Sequence, residues 1–545
     1  MGSAHPVGSE RGARPRELLL AGAALFVAAW VAFAWSFGLW PMLAPPVHDS
    51  VSLVGPTSQV HALQTLPQAL RADLFWVTDA VRPSPYWRPV VTLSYYLDSL
   101  WGGGAIWAFH LTNVLALVLA GLGLFAGVRR SLPTGLALGL AGLFVLHPLQ
   151  AEGAVDIAGR TDLFCAAALV WLLWAEGRVA VVVLTALACG SKELGVLAPL
   201  LLLASGRGGA AASGGTVVVF LLARHWVLGQ VGMGADDQPA PTAASIVGAG
   251  WRVSELLSRL VVPLGIAPAA EVKAAVGAQA AVGWSLLVAT GAISALKANW
   301  RAPMLLLVGA LLPVSGLVTS SVRQGDTLLV VPLLGAALLL CQGLPRTRVA
   351  GWALFGGALL AGMVGTTRAG AWTSELQLWR QALEANPDDP VLRLNLARTV
   401  VQEHPFTAGD LLLGAPAPAS TRLARERASV LTRAYLGRDD PKEALHWALL
   451  GMQVGDPESR WVNGQACLLA SSQAHAQAVA VCEAVLTSQP GEPALHNALG
   501  VACASRGQLA CAVRSFGLAA DLAPDRPAFS LNLERAELAL QAASQ

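Results

Sequence analysis

Two regimes of hydrophobic patterning follow one another along the chain. Up to position 364 the apolar residues gather in unbroken runs, at 18–40, 105–128, 132–146, 163–175, 179–189, 194–204, 216–229, 280–296, 302–318, 327–341 and 349–364. The longest have the roughly 20 residues needed to cross about 30 Å of hydrocarbon as a helix. Several are shorter, a length suited to re-entrant or interrupted helices whose backbone groups need protein or a wet cavity around them. The stretch 251–266 carries Arg252, Glu255 and Arg259 near helical spacing and reads as an amphipathic interfacial helix. Setting it aside leaves about eleven spans. A polar stretch, 41–104, separates the first run from the second.

Basic residues orient these spans. Arg11, Arg14 and Arg16 precede the first run, which places a tail at 1–17 in the cytoplasm. That run exceeds the about 7 to 15 apolar residues of a signal-peptide core, so it reads as a retained first span. With an odd number of spans, Arg129, Arg130, 176–178, Arg207, Lys297, Arg301, Arg346 and Arg348 all fall in cytoplasmic turns, as the positive-inside bias prefers. The stretch 41–104 is then an external loop, and everything after Val364 emerges outside. Composition agrees with a lipid-solvated surface: 54% of the 545 residues are apolar and only 13% charged, against roughly a quarter charged in soluble chains. A net charge of +2 suggests neither a nucleic-acid-binding stripe nor an acidic tail. The expected partners are membrane lipid and peptide, with no nucleic acid.

Beyond the last run the sequence repeats every 34 residues, a length that accommodates one pair of helices. Leu499, Gly500, Gly507, Ala512, Phe516, Ala519 and Pro524 stand at small, turn and helix-stop positions of the clearest copy. Ala478 and Pro490 match one period earlier, and Leu431, Tyr435 and Ala444 two periods earlier. A weaker upstream copy holds Trp379, Ala382, Pro387, Asn395, Leu396 and Ala397. This pattern resembles the tetratricopeptide repeat, in which small residues let two helices approach and bulky ones fill the interface with the next pair. The fold class is therefore all-α, a polytopic transmembrane domain at 18–366 followed by a soluble tetratricopeptide solenoid at 367–545. Its clearest repeats are 425–458, 459–492 and 493–526, with a capping helix at 527–543. The Gly, Ala and Pro-rich insert at 407–421 reads as a loop. Cys467, Cys482, Cys503 and Cys511 all lie in the repeats; the expectation is small core residues, with bridges open to them in an oxidising exterior.

Polar residues that cluster at a membrane face without an anchoring role are the candidates for chemistry. Four clusters share the outer face in this topology: His48-Asp49-Ser50, Tyr86-Trp87-Arg88-Pro89, the segment from His147 through Glu152, Asp156 and Arg160 to Asp162, and Ser191-Lys192-Glu193. No Walker loop, dinucleotide-binding glycine fingerprint or zinc-spaced Cys and His pairing is present. Most of the 18 tryptophans read as an interfacial belt.

The order of these clusters, with Phe109-His110-Leu111-Thr112-Asn113 between the second and third, resembles the transmembrane and tetratricopeptide repeat-containing O-mannosyltransferases and their bacterial relatives, members of the GT-C glycosyltransferases. The segments 313–315 and 372–397 also fit. The resemblance implies transfer of a mannose-like sugar from a polyprenyl-phosphate donor to protein Ser or Thr on the outer face of the cell (inner) membrane. No cofactor and no metal are implied. It assigns Asp49 as general base, since an attacking hydroxyl must lose a proton. Arg88, Arg160, Lys192 and His147 are implied to hold the donor phosphate, supported by Glu152, Asp156, Asp162, Glu193 and Asp326. The repeats, on the periplasmic or external side, would recruit the acceptor. Two departures weigh against this. Relatives often carry two adjacent acids where this chain has Asp49-Ser50. Around Asp326, Thr327 replaces an expected Arg, and Leu328 and Val330 replace tyrosines. A non-catalytic membrane-anchored repeat scaffold is the alternative, and a transporter a weaker one.

Overall fold

The computed structural model describes residues 13–34, 49–78, 84–231, 243–261, 263, 277–311, 326–415, 421–454, 460–473 and 475–545. Of the features read from sequence, Arg11, His48, 313–315 and the side chain of Asp49 lie outside the description. Among the described residues every regular element is helical and there is no strand. Contacts divide the chain into two compact units, Met1–Ala385 and Asn386–Gln545.

Among the described residues, five helical segments of the first unit are long and apolar enough to cross a membrane: Pro15–Phe33, Ile106–Val128, Ala210–Leu228, Asp326–Gly343 and Arg348–Thr373. Shorter apolar helices include Thr134–Val145, Arg178–Ser191, Glu193–Ala204 and Ala280–Leu296. Ile106–Val128 is the packing centre, touching Pro15–Ala29, Pro89–Gly102, Thr134–Val145, Gln150–Val155, Arg160–Leu172 and Val330–Gly343. Its approach to Arg160–Leu172 and the turn after it requires glycine at two places. A Cβ on Gly127 would lie 2.0 Å from the Trp174 ring, and one on Gly123 would lie 2.5 Å from Val170. The indoles of Trp171 and Trp174 then donate to the carbonyls of Leu119 and Gly123 at 2.9 and 3.0 Å. Small residues and interhelical hydrogen bonds are what hold helices together where lipid removes the hydrophobic drive.

The described residues of the stretch 41–104, 49–78 and 84–104, carry more regular structure than its polar composition suggests. Its described part folds into the short helices Asp49–Val54 and Leu66–Ala69, the helix Pro89–Gly102 and several 3-10 turns. Leu53, Val60, Leu74, Val77, Val91, Tyr95 and Tyr96 form a core together with Phe109 and Ile157. Apolar residues scattered singly among polar ones escape a search for runs, yet here they converge from several turns. Pro89–Gly102 starts on a proline, whose missing N–H has no partner to lose, and stops at Gly103, whose φ of +61° favours glycine.

The stretch 251–266, read as an amphipathic interfacial helix, lies in part within the helix Ala243–Val261. On its apolar face Val253 and Leu256 are buried against Leu149, Leu311 and Leu329. Its amphipathic pattern was legible, but which apolar surface it covers depends on contacts with distant segments.

In the second unit, Pro390–Val400, Pro405–Leu413, Thr421–Gly437, Pro441–Val454, Arg460–Ser472, Ala478–Ser488, Pro493–Ser505, Leu509–Leu522 and Pro527–Ser544 follow one another, each packed on the next. Leu431, Ala444, Ala478, Ala512, Phe516 and Ala519, singled out by the 34-residue period, are all buried. A Cβ on Gly500 would lie 2.6 Å from the Phe516 ring, so the helix pair closes only over glycine. Two sequence expectations change here. The insert is helical in its first part, Pro405–Leu413, because Ala408 and Leu412 bury one side of it. The four cysteines are paired, Cys467 with Cys482 and Cys503 with Cys511, since neighbouring helices bring their Cα atoms to 4.6 and 5.8 Å.

Candidate functional site

Asp49 begins the helix Asp49–Val54, and the next residue ties that helix to the third polar cluster. The Ser50 hydroxyl donates to the Asp156 carboxylate, and the Ala158 amide donates to both, at 3.1 Å to Ser50 and 3.2 Å to Asp156. Asp156 caps the turn Ile157–Gly159, which leads into the helix starting at Arg160. Residues 106 positions apart are thereby joined, which ties the helix that begins at Asp49 to the 147–162 segment.

Arg160 is completely buried and its guanidinium is engaged within the protein. Nε donates to Asn113 Oδ1 at 3.0 Å, Nη1 to Ser94 Oγ at 2.9 Å and Asp98 Oδ2 at 2.5 Å, and Nη2 to the Phe109 carbonyl at 2.7 Å. The Tyr95 ring lies 4.5 Å beneath it. A planar fork with its donors matched in this way acts as a cross-link between Pro89–Gly102, Ile106–Val128 and Arg160–Leu172. Asn113 extends the link by donating to the carbonyls of Gly153 and Asp156 at 3.0 and 2.8 Å.

Arg88 sits differently, as the residue before Pro89–Gly102. Its Nη2 meets Glu193 Oε2 at 3.0 Å, and its guanidinium stacks 4.7 Å from the Tyr86 ring. Arg224, from the helix Ala210–Leu228, faces the other oxygen of Glu193 at 3.6 Å. Beside them Lys192 pairs with Asp162.

A second network surrounds Asp326. Its carboxylate pairs with Arg368 and lies 3.8 Å from Arg259, while its backbone amide donates to Glu152 Oε2 at 2.6 Å. Burial and the neighbouring Asp326 and Asp156 carboxylates push Glu152 well above the ordinary carboxylate range. His147 is held neutral by burial, its pKa down to about 4. Its Nε2 donates to the Leu260 carbonyl at 3.2 Å and its Nδ1 accepts from the Leu149 amide at 3.3 Å.

The structure thus brings Ser50, Glu152, Asp156, Arg160 and Asp326 into linked contacts, and groups Arg88, Glu193, Lys192 and Asp162 nearby. Arg224, Arg368 and Asp98 enter these networks without having been singled out from sequence, and Arg259 enters them having been read only as part of an amphipathic helix. Arg224 had a legible signal, a guanidinium inside the apolar run 216–229. Arg368 and Asp98 acquire their roles only through long-range pairing.

No family model matches the chain. Over 120 residues, 22% of its length, it is 33% identical to the protein O-mannosyl-transferase Tmtc1 of Drosophila melanogaster. It is 38% identical over 94 residues, 16% of its length, to the protein O-mannosyl-transferase Tmtc2 of the same organism. It is also 32% identical over 132 residues, 23% of its length, to the protein O-mannosyl-transferase TMTC1 of Mus musculus. The matched stretches span 14%, 10% and 14% of those relatives' own lengths. In part of its length, then, this apolar, helical chain is similar to protein O-mannosyl-transferases.

Proposed function

We propose that this protein is a membrane glycosyltransferase that moves a mannose-like sugar from a polyprenyl-phosphate donor to a Ser or Thr hydroxyl at the outer face of the membrane. The hydroxyl oxygen attacks the anomeric carbon, its proton goes to Asp49, and the electron pair of the broken bond leaves on the phosphate. Arg88 is the cation best disposed to meet that phosphate, with Lys192 nearby; Arg160 and His147 hold the surrounding segments in register. The helices of the second unit form tetratricopeptide repeats that present the acceptor, and their two disulfides suit an oxidising exterior. The observation that carries the reading is the Ser50 to Asp156 bond, which joins the loop bearing Asp49 to the polar segment matching the family pattern.

Asp49→Asn removes the proton acceptor with little change in volume. In a reconstituted assay with a lipid-linked mannose donor, it is expected to abolish transfer while expression and insertion stay normal. Transfer at the wild-type rate would sink the assignment.

A second reading, a non-catalytic scaffold in which only the repeats bind partners, draws on the mutual pairing of the charged groups and on Thr327, Leu328 and Val330 near Asp326. Glycoproteomics of the host envelope with and without the gene separates the two: loss of O-linked hexose supports the enzyme, and an unchanged glycoproteome the scaffold.

A further inference from the structure

Three turns of the first unit come together at one end of the helix Ile106–Val128: 129–133 after that helix, 173–177 after Arg160–Leu172 and 205–209 after Ala198–Ala204. In the topology read from sequence all three are cytoplasmic. Trp174 lies between them. Its indole donates to the Gly123 carbonyl at 3.0 Å and its ring packs against Gly127, so the helix fixes its position. The Arg130 guanidinium lies 5.3 Å from the centre of that ring and the Arg207 guanidinium 5.6 Å. Arg207 also donates to the Ala175 carbonyl at 3.4 Å. Gly127 is about 21 Å along the helix from Asn113, at about 1.5 Å per residue, so this group stands at the far end of the helix from the candidate site.

Two cations drawn to one indole repel each other. Burial and the Arg130 charge push the Arg207 guanidinium below its ordinary range, with Glu176 of the same turn opposing them. Among the described residues neither Arg130 nor Arg207 meets a carboxylate at salt-bridge distance, whereas neighbouring Arg129 is paired with Glu17 at 3.1 Å. The ring attracts both cations, and an anion held by charge-assisted hydrogen bonds would offset their repulsion. The helices that adjoin these turns expose apolar side chains, Val179 and Val182 on Arg178–Ser191 and Leu200 and Leu203 on Ala198–Ala204. A ligand that joins a phosphate to acyl chains matches both surfaces at once.

We propose that Arg130 and Arg207, set around Trp174, hold the phosphate of an anionic phospholipid whose acyl chains run along Val179, Val182, Leu200 and Leu203. The site is separate from the one proposed for sugar transfer and does not depend on it. A phosphodiester has two free oxygens, one for each guanidinium, and its single charge separates the two cations. The lipid binds an arrangement that only the folded chain presents, so its occupancy raises the melting temperature.

The test titrates phosphatidylglycerol into the full chain in an uncharged detergent, with phosphatidylcholine and inorganic phosphate as comparison probes. Melting temperature and lipid retained in native mass spectrometry are the readouts. Wild-type protein is expected to melt higher with phosphatidylglycerol and to change little with phosphatidylcholine. Arg130→Gln and Arg207→Gln are each expected to weaken phosphatidylglycerol binding by about tenfold, the loss of one charge-assisted hydrogen bond. Without lipid both variants are expected to melt at or above the wild-type temperature, because a repulsion has been removed. Arg178→Gln takes away an exposed cation beside the same turn and is expected to weaken binding only about twofold. Equal losses in all three variants would reveal diffuse attraction to a basic surface and overturn the site, as would unchanged binding in Arg130→Gln and Arg207→Gln. Lower melting of those two variants without lipid would make the arginines supports of the fold and likewise overturn it. Equal stabilisation by phosphatidylcholine overturns the anionic headgroup. Stabilisation by inorganic phosphate to the same extent, lost in the same two variants, overturns the lipid in favour of a soluble anion. No sugar is transferred in this experiment, so its outcome is independent of what Asp49→Asn does.

Discussion

Arg160 reaches four partners inside the protein and Arg88 reaches one carboxylate, so the same substitution has different consequences at the two positions. Arg160→Gln leaves Asp98 buried without its cation and is expected to lower stability by about 3–5 kcal/mol, read as a drop in melting temperature in detergent. Arg88→Gln is expected to cost about 1.5–3 kcal/mol of donor affinity with the fold retained. Equal loss of donor affinity at both, with no change in melting, would contradict the distinction. Both residues stand in recognisable motifs, and nothing local in sequence separates them; the difference comes from Ser94, Asp98 and Asn113, which only the fold brings together. Glu152 offers a pH test at the same scale. Its folded pKa lies well above the ordinary 4.5, so the unfolded chain releases this proton first as pH rises. Stability from this group is therefore full below about 4.5 and declines as pH climbs from there toward the folded value. Glu152→Gln mimics the protonated acid and is expected to flatten that decline, measured as melting temperature between mildly acidic and neutral pH. An identical slope in both proteins would mean the carboxyl titrates elsewhere.

Elements were legible to the extent that their pattern is local. The 34-residue period located Ala444, Ala478 and Ala512 at equivalent places, with Leu431 and Phe516 at other positions of the repeat, and all five are buried. The core formed by the described residues 49–78 and 84–102 was missed, since it draws single apolar residues from many turns and closes on Phe109 and Ile157. The cysteines were ambiguous for a related reason: burial and bridging both require close packing, and only the helix register distinguishes them. The Cys467 to Cys482 bridge closes a loop of 15 residues and is expected to contribute about 3 kcal/mol to the second unit by restricting its unfolded chain. Reduction should lower the melting of that unit, and peptide mapping of unreduced protein should recover both bridges. Full labelling of these cysteines by maleimide in unreduced, unfolded protein would refute the pairing.

At the level of the whole molecule, topology decides on which side of the membrane the second unit lies. Five described helices have the length and apolarity of spans, and the shorter apolar helices leave the expected count of about eleven to a direct measurement. With the N-terminal arginines inside and an odd count, the chain after Val364 is expected outside, the side that the proposed function requires. A reporter fused after Val364, together with thiol labelling of a cysteine introduced at Ala542, checks this. Labelling from outside intact cells and no cytoplasmic reporter activity are expected; cytoplasmic activity with labelling only after permeabilisation would remove the acceptor-presenting role. The buried network around Arg160 also has a bearing on biogenesis. Ser94, Asp98, Phe109 and Asn113 all leave the ribosome before Arg160, whereas Asp326 must wait for Arg368. The first half of the site can therefore close during synthesis, while its second network is completed only when the helix Arg348–Gly370 has been made.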